Sequence, residues 1–161
     1  MFDDKINMQV PFVHFKVREL GDWVETNTDT YFKNKRVIVF SLPGAFTPTC
    51  SEKHLPGFIT LYDKIKSTNI ADIYCLSVND AFVMKAWLSS YKNGDNIKGI
   101  ADGNGKLCQL LNVISDKSDN FMGLRSQRFA MIVHNNNIIN IFIEQPGKFE
   151  ASSAENILSK L

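Results

Sequence analysis

With 161 residues, 44% of them hydrophobic and 22% charged, the chain has the balance of one globular domain over 1–161 that can bury a core of its own. A formal net charge of +1 indicates neither a nucleic-acid surface nor an acidic tail, and no apolar run is long enough to span a membrane. Its three cysteines, Cys50, Cys75 and Cys108, are odd in number and widely spaced, which is neither a disulfide framework nor a metal-ligand pattern.

Met1-Phe2-Asp3-Asp4-Lys5 carries acids and no apolar stretch of signal-peptide length, so no targeting segment is read there. With the unpaired cysteines this predicts a reducing compartment, the cytoplasm, or an organelle if a leader has been removed. Met8 to Val17 alternates loosely and predicts one or two short strands ending near Leu20-Gly21. Trp23-Val24 predicts another, and Thr28 to Lys33 a helical turn capped by Asn27 or Thr28. Arg36-Val37-Ile38-Val39-Phe40-Ser41-Leu42 is short, apolar and β-branched, the pattern of a buried strand, and Pro43-Gly44 breaks it. Leu55, Phe58, Ile59, Tyr62 and Ile65 then mark a helix running to Lys66, with a kink expected at Pro56-Gly57.

Asp72 to Val78 predicts a second buried strand. Asp80 to Tyr91 predicts a helix with Phe82, Val83, Ala86, Trp87 and Tyr91 on its apolar face. Ile97 to Ala101 reads as a short strand, Lys106 to Leu111 as a short helix, and Val113 to Met122 as a polar loop. Arg128–His134 and Ile138–Ile143, joined by Asn135-Asn136-Asn137, predict a β-hairpin, because Asn tolerates positive φ. Ser152 or Ser153 caps a last helix with Ile157, Leu158 and Leu161. Strands alternating with helices, then a hairpin and a closing helix, predict an α/β fold with a central mixed sheet flanked by helices.

The stretch that carries chemistry is Pro43-Gly44-Ala45-Phe46-Thr47-Pro48-Thr49-Cys50, between the buried strand and the following helix. Unpaired N–H groups and the positive end of the dipole at a helix start favour an anion, so a thiol there is biased toward thiolate. Two helix starts fit: Pro48 in the first turn, or a capping box Thr49-Cys50-Ser51-Glu52. Either one puts Cys50 in the opening turn. The plain alternative is a capped helix with an ordinary buried cysteine.

Pro43, Thr47 and Cys50 match Pro-x-x-x-Thr-x-x-Cys, and this string resembles the active-site motif of the peroxiredoxins. The extension Thr-Pro-Thr-Cys-Ser-x-x-His-Leu-Pro-Gly-Phe is similar to the type II, peroxiredoxin-5-like branch. Leu76 to Trp87, Arg128 to Val133 and Ser152 to Leu158 resemble further blocks of that branch, so the likeness runs from about Val37 to the end.

The resemblance implies a thioredoxin-like fold and a thiol peroxidase that needs no metal or cofactor. Cys50 would attack hydrogen peroxide or an organic hydroperoxide and become a sulfenic acid. Thr47 would supply a hydroxyl and Arg128 a fixed cation, with Pro43, Gly44 and Phe46 shaping the pocket. Charge alone does not choose between Arg125 and Arg128; the family's arginine directly precedes the Phe of this strand, which selects Arg128 and leaves Arg125 as support. His54, four residues past Cys50, either tunes the thiol or, more plainly, bonds backbone or a neighbouring subunit. Cys75 matches the resolving position of plant type II proteins, yet sits mid-strand, where a buried structural thiol is the default; Cys108 matches no resolving position. The partners implied are glutathione with glutaredoxin, or thioredoxin, as reductant, and a second copy of the chain in a homodimer. Two other readings, a disulfide exchanger and a non-enzymatic module, are weaker. The first wants Cys-x-x-Cys where this chain has Thr47-Pro48-Thr49-Cys50, and the second gives no reason for Thr47, Cys50 and Arg128 together.

Overall fold

Residues 5–161 are described by a computed structural model; the acid-bearing start read above, residues 1–4, lies outside them. The architecture is built on a five-stranded mixed sheet. Strands β3 (Arg36–Ser41), β4 (Asp72–Ser77), β5 (Lys98–Ala101), β8 (Phe129–His134) and β9 (Asn137–Ile143) lie in the order β5-β4-β3-β8-β9. The strands β3, β4 and β5 are parallel, β8 pairs antiparallel with β3, and β9 pairs antiparallel with β8. Both faces are covered, which is why β3, β4 and β8 read as continuous apolar runs rather than alternating ones.

Alternate residues face opposite layers. Val37, Val39, Tyr74, Leu76, Met131 and Val133 pack against Phe32 of α1 (Thr28–Phe32) and Leu107 of α5 (Lys106–Leu110). On the other face, Ile38, Phe40, Cys75 and Ala130 pack against α2 (Leu55–Thr60), α3 (Tyr62–Lys66), α4 (Ala81–Ser89) and α6 (Ala154–Leu158). Phe40 stacks on Phe58 at 4.2 Å between ring centroids, a fully buried pair worth roughly 3–6 kcal/mol of burial. Cys50 and His54 lie in this second layer, so Phe40 ties the central strand to the helix that carries them.

Several expected elements take a different form. Met8 to Phe12 contributes a single bridge, Gln9 to Asn137, and the strand is β1 (His14–Glu19), paired with β2 (Asp22–Asn27) through a Leu20-Gly21 turn with both residues at positive φ. The expected loop from Val113 to Met122 holds β6 (Ile114–Asp116), which pairs with β7 (Leu124–Ser126). Its polar residues hid a strand too short to show alternation.

Helix α4 buries Met84, Trp87 and Leu88, while Phe82 is 57% exposed and Ala86 is exposed. The face is rotated because the β1–β2 hairpin supplies partners for Phe82: Trp23 edge-on at 5.4 Å and Arg18 over the ring at 5.6 Å. The β8–β9 turn does use asparagine as expected, with Asn135 and Asn136 at φ 48° and 64°.

The helix after Cys50 does not kink at Pro56. Its first part, Cys50–His54, is a π-helical turn that runs directly into α2, and the break comes at Leu61. Proline explains the wide turn. An α-helical path would drive the Pro56 ring into the carbonyl four residues back. Instead the Leu55 N–H reaches Cys50 O, and Ser51 O is left facing Pro56, which has no N–H to give. The Tyr91 hydroxyl takes that carbonyl at 2.7 Å.

Candidate active site

Helical backbone begins at Pro48, and Thr47 O accepts the first helical bond, from Ser51 N at 2.9 Å. Thr47 is therefore the cap, Pro48 the first helical residue, and Cys50 the third. Of the two helix starts open in the sequence, this is the proline one; Thr49 makes no side-chain cap. The Cys50 N–H thus lies among the opening donors that have no carbonyl partner within the helix.

The loop before the helix is held from three sides. Phe46 stands at φ 64°, a left-handed conformation that is uncommon for a phenylalanine. The Gly44 carbonyl beneath it accepts both the Thr47 N–H, at 3.4 Å, and the Thr47 hydroxyl, at 2.7 Å. Asn79 accepts the Ala45 N–H at 3.0 Å and the Ser77 hydroxyl at 2.6 Å through one oxygen. Arg125 donates to Met122 O at 2.8 Å and to Pro43 O at 3.4 Å, which makes it a brace for the loop. From the far side, the Trp87 indole N–H donates to the Ser51 hydroxyl at 3.1 Å.

Arg128 stands immediately before β8 and reaches across to the helix. Its Nη2 donates to Cys50 Sγ at 3.2 Å, and its Nη1 to His54 Nδ1 at 2.9 Å. A guanidinium has only donors, so His54 Nδ1 must be the acceptor and the ring proton sits on Nε2. That Nε2–H donates to Ser152 O at 3.0 Å. Burial and the adjacent Arg128 charge push His54 down to about 3, although the bond to Ser152 works against them. The imidazole is thus neutral at physiological pH, which is what lets it accept from a cation. The Phe149 ring lies over Arg128 at 5.8 Å and edge-on to His54 at 5.1 Å.

Next to the guanidinium lies a cleft of about 710 Å³. Pro43, Thr49, Arg128 and Phe149 line it, and Lys53, Lys117 and Lys148 bring positive charge to it.

Arg128 touches Cys50 and lines the cleft together with Pro43, while Cys50 is fully buried and Thr47 caps the same helix start, neither of these two lining the cleft. Gly44 and Phe46 do not line the cleft: Gly44 backs onto Arg125 and Thr47, and Phe46 is 61% exposed with Trp87 as ring neighbour at 6.5 Å. They shape the loop rather than wall the space. Thr47 also differs in detail from expectation. Its one proton is committed to Gly44 O, so it offers the site lone pairs instead of a donor.

Cys75 is fully buried at the centre of β4, between Phe40 and Gly99 on the adjoining strands. Burial, and then the charge of Cys50 nearby, push its thiol well up. Cys108 lies in the other layer, its thiol raised by burial and by Asp102. Sequence reasoning gave His54 the plainer role of a backbone or subunit contact. It does bond backbone, and it also holds the arginine. The four-residue spacing from Cys50 pointed at this, but the element covering the ring comes from residues 149–152, a hundred positions away in the chain.

Residues 7–158 match the Redoxin family. Over 127 residues the chain is 47% identical to Peroxiredoxin-2D of Arabidopsis thaliana, covering 79% of this chain and 78% of that one. Its fold superposes on the reduced Prx3 of Vibrio vulnificus, solved in complex with H2O2, with a TM-score of 0.91, 40% identity, and coverage of 96% and 97%. A Plasmodium falciparum antioxidant protein, a 1-Cys peroxiredoxin, superposes with a TM-score of 0.86 at 39% identity over 95% of each chain.

Proposed function

The chain belongs to the Redoxin family as a peroxiredoxin, a thiol peroxidase that reduces peroxides, and from this premise we propose that Cys50 is its peroxidatic nucleophile. The observation that carries the assignment is the Arg128 Nη2 to Cys50 Sγ contact of 3.2 Å, within a turn of Thr47. The Cys50 thiolate attacks one oxygen of hydrogen peroxide or of a small organic hydroperoxide. A sulfur–oxygen bond forms as the O–O bond breaks, and the departing oxygen takes a proton to leave as water or an alcohol. Donors aimed at the charge gathering on that oxygen lower the barrier. Arg128 and the opening N–H groups of the helix serve this, and Thr47 accepts the peroxide's own O–H and so orients it.

The sulfenic acid is then reduced without a second cysteine. One thiol gives a mixed disulfide with Cys50 and water; a second thiol releases the disulfide and restores the Cys50 thiol. We favour glutathione with glutaredoxin as donor, since Lys53, Lys117 and Lys148 suit its carboxylates; thioredoxin is the alternative. Support for a one-cysteine cycle comes from the place of Cys75 inside the central sheet, and a structurally similar Plasmodium protein carries the 1-Cys name. A two-cysteine cycle through Cys75 is the second reading, favoured by its place in the same layer as Cys50, although burial and the Cys50 charge both hold its thiol protonated. We place the protein in the cytoplasm as a homodimer joined at the edge of the loop bearing the exposed Phe46. Among the described residues no helix is long and apolar enough to cross a membrane.

Intact mass after one equivalent of peroxide tests the assignment. Wild type is expected to gain one oxygen quickly, and Cys50→Ser to gain none. Loss of two hydrogens, abolished by Cys75→Ala, selects the second reading. Thr47→Val and Arg128→Gln are expected to slow the peroxide step roughly a hundredfold or more with the fold intact. A Cys50→Ser protein that consumes peroxide like wild type when a reductant is present overturns the assignment.

A further inference from the structure

Arg128 is a long, mobile side chain, and a cation that must meet a sulfur and a transient oxygen has to be held still. Its two terminal nitrogens are engaged by Cys50 and His54, and the question is what keeps His54 in place. Besides its bond to Arg128 and its packing against Phe40, Phe58 and Phe149, the ring makes one hydrogen bond, from Nε2 to Ser152 O. Ser152 belongs to the segment 145–153, between β9 and α6, which makes no ladder of its own.

One carboxylate gathers that segment. Glu144 Oε1 accepts the Glu150 N–H at 2.6 Å, the Ser152 N–H at 2.8 Å and the Ser152 hydroxyl at 2.9 Å. Charge-assisted bonds of this kind are the stronger class. The same residue's N–H donates to Arg128 O at 2.9 Å. Glu144 therefore grips the arginine twice: at its backbone directly, and at its guanidinium through Ser152 and His54. Phe149, which covers both the guanidinium and the imidazole, lies inside the gathered segment. Glu144 and the segment through Phe149 also form one wall of the cleft. No reacting atom touches the Glu144 carboxylate, whose bonds all run to residues 150–152.

We propose that Glu144 is a positioning residue for peroxide reduction, holding Arg128 on Cys50 through Ser152 and His54. The proposal rests on Cys50 being the nucleophile and Arg128 its activating cation. It is distinct from general stabilisation, since its effect must pass through one named guanidinium.

The test measures the second-order rate of Cys50 oxidation by hydrogen peroxide in wild type, Glu144→Gln, Glu144→Ala, Arg128→Gln and the Glu144→Gln/Arg128→Gln double variant. Thermal midpoints and ¹⁵N NMR of His54 are recorded on the same samples. Misplacement of a charge by about an ångström predicts a loss of roughly tenfold to a hundredfold in Glu144→Ala, and a smaller one in Glu144→Gln, which keeps an acceptor oxygen. In both variants the His54 Nε2–H signal is expected to exchange faster with water than in wild type. In the Arg128→Gln background, Glu144→Gln is expected to cost nothing further.

Equal losses with and without Arg128 overturn the proposal, as does a wild-type oxidation rate in Glu144→Ala. An unchanged His54 signal in Glu144→Gln overturns it too, and that variant answers the question should Glu144→Ala not fold. A wild-type protein that fails to oxidise at Cys50 would instead remove the functional reading beneath it, a separately visible result.

Discussion

Neutral His54 at the centre of the site makes folding stability sensitive to mild acid, and the size of the effect follows from its surroundings. In the unfolded chain a histidine protonates near its ordinary value of about 6.5. In the fold, burial and Arg128 lower it to about 3. Between these values the unfolded chain binds a proton that the folded protein refuses. Stability that is complete above pH 6.5 is therefore lost as pH falls toward 3. By pH 5 the loss from this one group is about 2 kcal/mol, from 1.36 kcal/mol per unit over the interval below 6.5. That figure barely depends on the folded-state value, provided it lies well under 5. Asp72 and Glu144 do not interfere: burial alone would raise both, but Lys98 and Lys35 with Tyr74 hold Asp72 low, and the N–H groups and hydroxyl of residues 150–152 hold Glu144 low. Their contributions are held above the ordinary carboxylate values and are lost as pH falls from those values toward the lower folded-state ones, below the pH interval over which the histidine effect is read. The assay is urea unfolding of the reduced protein at pH 7.5, 6 and 5, in wild type and in His54→Gln. The variant is expected to be less stable throughout, having lost ring contacts with Phe40 and Phe58, but to lose about 2 kcal/mol less between pH 7.5 and 5. Parallel losses in the two proteins would refute the neutral, arginine-bound imidazole.

Three further outcomes are expected. A Cβ added at Gly44 would stand 2.9 Å from Arg125 Nη1 and 3.3 Å from Thr47 Cγ2, so Gly44→Ala displaces the flexible guanidinium and shifts the loop; the fold should survive with the peroxide step roughly tenfold slower in stopped-flow fluorescence. Tyr91→Phe strips Ser51 O of the hydroxyl that compensates for Pro56, and should cost about 1–3 kcal/mol in urea unfolding, with faster amide exchange in the first turn after Cys50. Lys53→Glu/Lys148→Glu should raise the KM for glutathione severalfold, and more so at low salt, while leaving the peroxide step unchanged; equal effects on both half-reactions would remove the charge argument for this reductant.

What could be read in the sequence divides along a physical line. Strands β3, β4 and β8 were legible because burial on both faces demands unbroken apolar runs, and the place of Cys50 in an opening helical turn was legible because both starts the sequence allowed put it there, although the choice between them was not. The rotated face of α4 was not, since the hairpin that receives Phe82 is remote in sequence. The π turn hid for a related reason: Pro56 announces a disturbance, but the route around it depends on a Tyr91 hydroxyl supplied by another element. Arg128 was picked out only by likeness, because a cation flanking a strand carries no local mark of its partner.

His54, Ser152 and Glu144 show the limit most clearly. Each is unremarkable in its own neighbourhood, and a buried histidine, a serine before a helix and a glutamate after a strand all have ordinary local explanations. Their order appears only when the chain end folds back: carboxylate to serine, serine carbonyl to imidazole, imidazole to guanidinium, guanidinium to sulfur. Every link in that series has one donor and one acceptor already assigned, so no member can change protonation without disturbing its neighbour. A thiol that must stay reactive while buried gains from this arrangement, because the cation beside it is held by a fully buried imidazole, itself held by the fully buried Ser152.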